Sequence, residues 1–216
     1  MKKTIFVLGA GKGCGNHVAE KFGMNGFRVV LMSRDKEHLS KYQKEFEGKG
    51  IEVYTKTADA SKPHSITKAF DELKAEFGLP DVLFYNVGIT IPDANLTEAK
   101  DVDLLMKRYQ VDVAGAYHAI QQVLGKEFSA KNGAVLVTGG GLSLYPMDEY
   151  LALSMDKAAL RAMCIALHNK LKEHNIYVGT LTVTDEIKTG GKCDPVLLAE
   201  DFWKLYTDRN QCEMIR

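Results

Sequence analysis

A chain of 216 residues is long enough for one α/β domain with a sizeable hydrophobic core. Its 28 basic and 28 acidic residues give a formal net charge of +0, which argues against a broad polyanion-binding surface and so against a nucleic-acid partner. The start, Met1-Lys2-Lys3-Thr4, leads into an apolar segment too short for a signal peptide or a bilayer span, so no membrane partner is expected.

The first predicted element is the apolar run Ile5-Phe6-Val7-Leu8, read as a strand. The loop Gly9-Ala10-Gly11-Lys12-Gly13-Cys14-Gly15 follows, then the helical pattern Val18, Ala19, Phe22, then a second apolar run from Phe27 to Met32. Together these make a βαβ unit with a glycine turn at the first crossover. Gly9, Gly11, Lys12, Gly13, Cys14 and Gly15 are the candidate cradle for a pyrophosphate. Small residues let the phosphates approach the backbone N–H groups at a helix N-terminus, where the helix dipole favours negative charge. A turn without a ligand is the plainer alternative. A kinase-type P-loop does not fit, because Lys12 is followed by Gly13 rather than Ser or Thr. Cys14 is either a reactive thiol or a small residue that fits the loop.

A polar helix is expected over Asp35–Gly50, with Leu39, Tyr42 and Phe46 at helical spacing, and a short strand over Ile51–Tyr54. A helix from Ser61 carries Ile66, Ala69, Phe70, Leu73 and Phe77 to Gly78. A buried strand lies in Asp81–Asn86, and a long helical stretch runs from about Thr97 to Lys126. Strand Ala134–Thr138, helix Asp148–His174, strand Ile176–Val183, helix Pro195–Asp208 and a short strand at Glu213–Ile215 complete the chain. Strands alternating with helices imply an α/β fold with a doubly wound parallel sheet, read as a single domain over residues 1–216. Cys14, Cys164, Cys193 and Cys212 lack metal-ligand spacing, and the histidines stand apart from them, so no metal site is expected. Reduced thiols in a cytoplasm are the simplest reading.

The spacing of Gly9, Gly13 and Gly15 is G-x-x-x-G-x-G, and Tyr85-Asn86-Val87-Gly88 follows the fourth strand. Both resemble the short-chain dehydrogenase/reductase family, whose turn usually reads T-G-x-x-x-G-x-G and whose fourth strand ends in N-N-A-G. The resemblance covers roughly residues 4–183 and implies a Rossmann-type fold and a nicotinamide cofactor. Leu8 replaces the threonine of the turn, and Tyr85 and Val87 depart from the second signature.

The end of the second strand normally separates NAD from NADP. Here Ser33 stands where an acid would bond the ribose hydroxyls, and Arg34 follows. Arg34 and Lys12 suit a phosphate monoester and point to NADP(H), unless Arg34 is a solvated surface group or pairs with Asp35. Asp59 matches the family's adenine contact, or caps the helix from Ser61. Asn86, Val87 and Gly88 fall on the cofactor side.

The family's acid/base is a tyrosine, with a lysine four residues later that lowers the tyrosine pKa and binds the nicotinamide ribose. A phenol with an unperturbed pKa of about 10 needs that cation to act near neutrality. Ser154-Met155-Asp156-Lys157-Ala158-Ala159-Leu160 resembles the family's S-x-S-K-A-A-L region, so Lys157 takes the lysine position. Leu153 then stands at the tyrosine position, Gly140 near the serine position and Asp112 at the asparagine position. Tyr150, seven residues before Lys157, is the candidate displaced acid, about 10 Å away along a helix axis. Thr138 is the candidate displaced hydroxyl, with Tyr145 and Ser143 behind it. Asp112 is either a general base or a helix residue satisfying backbone groups.

Two readings follow. The first is an NADP(H)-dependent oxidoreductase acting on a small carbonyl or alcohol, with an altered tyrosine arrangement. The second is a non-catalytic NADP(H)-binding sensor or partner subunit, on the same fold. Val183-Thr184-Asp185-Glu186 replaces the family's Pro-Gly after the sixth strand and leaves a short segment over the substrate side. Apolar residues beyond one stripe on the two long helices, which form the subunit interface in the family, imply a homodimer or homotetramer.

Overall fold

The computed structural model describes residues 2–93 and 102–216. Strand β1 (Thr4–Leu8) is buried at every position, as a central strand covered on both faces must be. Helix α1 (Cys14–Met24) buries Val18, Ala19 and Phe22, and β2 (Arg28–Ser33) returns beside β1. Helix α2 (Lys36–Gly48) begins where the Asp35 carboxylate accepts from His38 N–H at 2.9 Å, and it buries Leu39, Tyr42 and Phe46. Strand β3 (Val53–Thr57), helix α3 (Pro63–Phe77) and strand β4 (Val82–Tyr85) follow. Beyond them lie α4 (Val102–Tyr109), a π-helical segment (Gln110–Ala114), α5 (Gly115–Gln121), α6 (Lys126–Ala130) and β5 (Ala134–Gly140). The chain ends through α7 (Leu151–Leu171), β6 (Tyr177–Val183), α8 (Pro195–Asp208) and β7 (Glu213–Ile215).

The seven strands form one sheet in the order β3-β2-β1-β4-β5-β6-β7, with every neighbouring pair parallel. Alternation along each strand feeds two cores. Ile5 and Val7 pack with α1, α2 and α8 through Phe22, Phe46 and Phe202. Phe6 and Leu8 pack with α3, α5 and α7 through Phe70, Ile120 and Leu160. The strand order reverses between β1 and β4, and the crevice beyond their carboxyl ends is where open α/β sheets bind ligands. Among the described residues, no helix is long and apolar enough to cross a membrane.

Several boundaries differ from those read in the sequence, each for a local reason. Ile51 N–H still bonds Phe46 C=O at 3.0 Å, closing α2 past Gly50 (φ +73°), so β3 starts at Val53 and runs on to Thr57. Asp59 Oδ1 accepts from both N–H and Oγ of Ser61, at 3.0 and 2.7 Å; this turn delays α3 to Pro63. The expected helix from Thr97 to Lys126 is broken: residues 97–101 lie outside the described residues, and the π-helical segment divides the remainder. There Tyr85 Oη donates to Val111 C=O at 2.5 Å, drawing that carbonyl off the helical ladder. Gly115 is pressed so close that a Cβ would lie 2.5 Å from Ala60 O. Finally, Asp148–Tyr150 is a 3₁₀ turn, and α7 proper begins at Leu151.

Candidate active site

The glycine loop divides its glycines between two tasks. A Cβ on Gly9 (φ +103°) would lie 2.6 Å from the Asn86 carbonyl, and one on Gly15 would lie 2.4 Å from Gly9 O. These two let β1, β4 and α1 approach one another. Gly11 and Gly13 have nothing within 4 Å of such a Cβ. They face open space at the start of α1, whose N-cap, Gly13, carries no side-chain cap and whose first turn has no acid. An uncapped helix N-terminus beside an open glycine edge fits an anion such as a pyrophosphate. Cys14 is buried there, and burial pushes its thiol up to about 12, which makes it a packing group and not a nucleophile.

Beside the glycine loop, Arg34 and Lys12 are exposed, and Ser33 is half-buried at the end of β2. Asp35 caps α2 and pairs with His38 Nδ1 at 3.1 Å. It does not neutralise Arg34, which has no ion pair among the described residues. Asp59 holds the turn at Ser61 and pairs with Lys62 at 3.3 Å.

On the opposite side, three strand ends are tied together. Thr138 Oγ1 donates to Asn86 Oδ1 at 2.7 Å, and Asn86 Nδ2 donates to Gly9 O at 3.0 Å. The Thr138 hydroxyl therefore braces β5 to β4, and β4 to β1. Lys157 is buried, and its Nζ donates to Thr138 O at 3.4 Å. Its stem fills the space beside Gly140, where a Cβ would lie 3.2 Å from Lys157 Cδ and Cγ. Asp112 is fully buried in the π-helical segment, and its Oδ1 accepts from Ile89 N–H at 2.9 Å. Lys157 and Asp112 converge on Gly88: a Cβ there would lie 3.4 Å from Lys157 Nζ and 3.3 Å from Asp112 Oδ1. Burial holds the Lys157 ammonium below the usual lysine range against the pull of Asp112 and Asp156, and burial also raises Asp112. Val87, half-buried, packs on the α3–α5–α7 side of the sheet.

Tyr150 stands as the N-cap of α7 with non-helical φ −129° and ψ 37°, half-buried. The helical count of two turns to Lys157 therefore starts from a residue outside the helix. Leu153, read from the sequence as standing at the tyrosine position, is buried, whereas Tyr145 is largely exposed.

Three charged residues of this region were not singled out from the sequence. Asp156 is buried on α7, and Arg108 and Asp93 form a buried pair at 2.6 Å. Asp93 also accepts from Ala152 N–H at 2.8 Å, tying the loop after β4 to the start of α7. A signal was present: Asp156 interrupts the apolar stripe Ala152, Leu160, Cys164, and Arg108 precedes Asp112 by four residues.

Comparison with known proteins places this geometry among others. The family described as short chain dehydrogenase matches residues 3–189. An uncharacterized oxidoreductase of Staphylococcus saprophyticus is 25% identical over 181 residues, covering 83% of this chain and 76% of that one. A diacetyl reductase, (S)-acetoin forming, of Staphylococcus epidermidis is 25% identical over 179 residues, covering 82% of this chain and 69% of the relative. Among solved structures, an alcohol dehydrogenase from Thermococcus sibiricus complexed with 5-hydroxy-NADP superposes with a TM-score of 0.85 at 20% identity, over 99% of this chain and 95% of that one. At that identity the likeness shows a shared fold.

Proposed function

The chain belongs to the short-chain dehydrogenase family, and from that premise we propose that it is an NADP(H)-dependent oxidoreductase of a small carbonyl or alcohol. The observation that carries this reading is the convergence of Lys157 Nζ and Asp112 Oδ1 on Gly88, beyond the carboxyl end of β4, together with the open edge of Gly11 and Gly13 beyond that of β1. The bound nicotinamide would supply the hydride. The chain's own groups hold and orient. Backbone N–H groups of the loop Gly9–Gly15 receive the pyrophosphate, and Arg34 and Lys12, flanking Ser33, receive the 2′-phosphate. Asp59 lies at the adenine side. Lys157 bonds the ribose hydroxyls, while Asn86, Val87 and Gly88 form the floor beside it. The diacetyl reductase among the relatives is consistent with a small carbonyl substrate.

A second reading, a non-catalytic NADP(H) binder, is favoured by one specific observation. Buried Leu153 and the glycine at 140 occupy the positions where the family carries its hydroxyls. NADPH binding followed by fluorescence, then NADPH oxidation with a panel of small carbonyls that includes diacetyl, separates the two. Binding with no oxidation across the panel would reject the enzyme reading. The free thiols at Cys14, Cys164, Cys193 and Cys212 accord with a cytoplasmic setting. We assign the exposed apolar residues Met106, Tyr109 and Tyr117, with Leu151 and Met155 of α7, to a homodimer or homotetramer interface.

A further inference from the structure

Asp156 is 1% exposed, and both of its carboxylate oxygens lack a hydrogen-bond donor. Asp112 gives Oδ1 to Ile89 N–H and leaves Oδ2 buried without a donor. The two side chains lie within hydrogen-bonding reach of one another. Two carboxyl groups bond each other only when a proton lies between them, because an ionised carboxylate is purely an acceptor. Charge counting gives the same answer. The carboxylate of Asp93, in the loop after β4, is matched by Arg108 of α4. Asp112 of the π-helical segment and Asp156 of α7 feel both Arg108 and Lys157, and with Arg108 already matched by Asp93 they are left with one cation of their own, Lys157. Two carboxylates and one ammonium become neutral on gaining a single proton. Burial, followed by the neighbouring Asp112, raises the Asp156 carboxyl to about 7.

We propose that Asp112 and Asp156 share the one proton that the family takes from its tyrosine, and that they pass it through Lys157 to the substrate oxygen. This rests on the oxidoreductase reading above. In the reducing direction the carbonyl carbon gains a hydride as NADPH becomes NADP+, and the C=O electron pair moves onto oxygen. That oxygen takes a proton from the Lys157 ammonium. The freed pair on Lys157 Nζ, which lies more than 4.0 Å from either carboxylate, takes the stored proton across one bridging water, and the doubly ionised acid pair recovers a proton from solvent. Carbonyl, NADPH and one proton become alcohol and NADP+. Asp156 acts through Lys157, so it is a positioning residue.

The test begins with infrared spectra of the nucleotide-free protein between about pH 5 and pH 9. A protonated-carboxyl band should vanish with a midpoint near 7 and be missing in Asp156→Asn. Asp156→Ser, a small polar alternative, guards against misfolding, and NADPH binding by each variant reports an intact site. In the wild type, carbonyl reduction should fall tenfold per pH unit above that midpoint, since the proton must be present to be given. In both variants the alkaline limb should flatten, with kcat lower by about 10²-fold, the scale of a positioned proton donor. Two results overturn the proposal while leaving the reductase reading in place: no titrating band, or an Asp156→Asn protein that binds NADPH and keeps the wild-type kcat and limb. A wild type that binds NADPH but reduces no carbonyl overturns both, even where the band titrates.

Discussion

The proposed preference for NADP(H) rests on charge at single residues. Asp35 spends its carboxylate on the N–H of His38 and on the His38 ring, so the neighbouring Arg34 guanidinium stays available in solvent. A phosphate monoester against Arg34 gains a charge-assisted hydrogen bond of about 1.5–3 kcal/mol, which an unmodified ribose cannot make. Arg34→Ala should therefore raise the Kd for NADPH by tenfold or more and leave that for NADH nearly unchanged in fluorescence titrations. Equal affinity for both nucleotides in the unmodified protein would reject the assignment. Lys157 and Tyr150 separate binding from chemistry. Lys157→Ala should weaken NADPH under either reading, because the proposed contact of its ammonium with the ribose hydroxyls needs no tyrosine beside it. Tyr150, at the half-buried cap of α7, enters only if it supplies the proton. Tyr150→Phe should then cut kcat by about 10²–10⁴ with NADPH affinity unchanged. If the proton comes from the buried acid pair instead, Tyr150→Phe should leave kcat within a factor of a few.

At the scale of elements, a joint ties together the loop after β4, α4 and α7. Arg108 donates to Ile91 O at 3.2 Å and pairs with Asp93, which in turn receives the N–H of Ala152. The Asp93–Arg108 side chains are 8% and 5% exposed, so removing one partner strands a buried charge. Arg108→Ala should cost about 3–5 kcal/mol, read as a lowered urea midpoint with an unchanged m-value. A loss below about 1 kcal/mol would mean that the pair is solvated in solution and does not organise the loop. The same joint explains why the π-helical segment matters. Within it Asp112 sits beside Gly88, and directly after it Gly115 packs against Ala60 and Tyr85.

For the whole molecule, α4, α5 and the first turns of α7 leave several large apolar residues exposed to solvent. Val102, Met106 and Tyr117 are each at least half exposed. If they pair between subunits, sedimentation at micromolar concentration should give a dimer or tetramer, and Met155→Asp should shift it toward monomer while NADPH binding is retained. A monomeric wild type across that range would return these side chains to the surface of a single chain.

The doubly wound sheet was legible in the sequence because each βα step carries its own evidence: an apolar run, a turn residue and helical spacing. Ile5–Leu8, the glycine loop and the stripe Leu39, Tyr42, Phe46 fall where that local logic put them. What the sequence left open were relations between residues far apart along it. Only packing shows that Asp35 serves α2 and spares Arg34, that the Thr138 hydroxyl belongs to Asn86, and that Tyr150 lies outside the helix of Lys157. Only packing, too, buries Asp112 and Asp156, from separate elements, near Lys157. The protonation of a carboxyl depends on the water and charge around it, and those are fixed when the helices close over the end of the sheet.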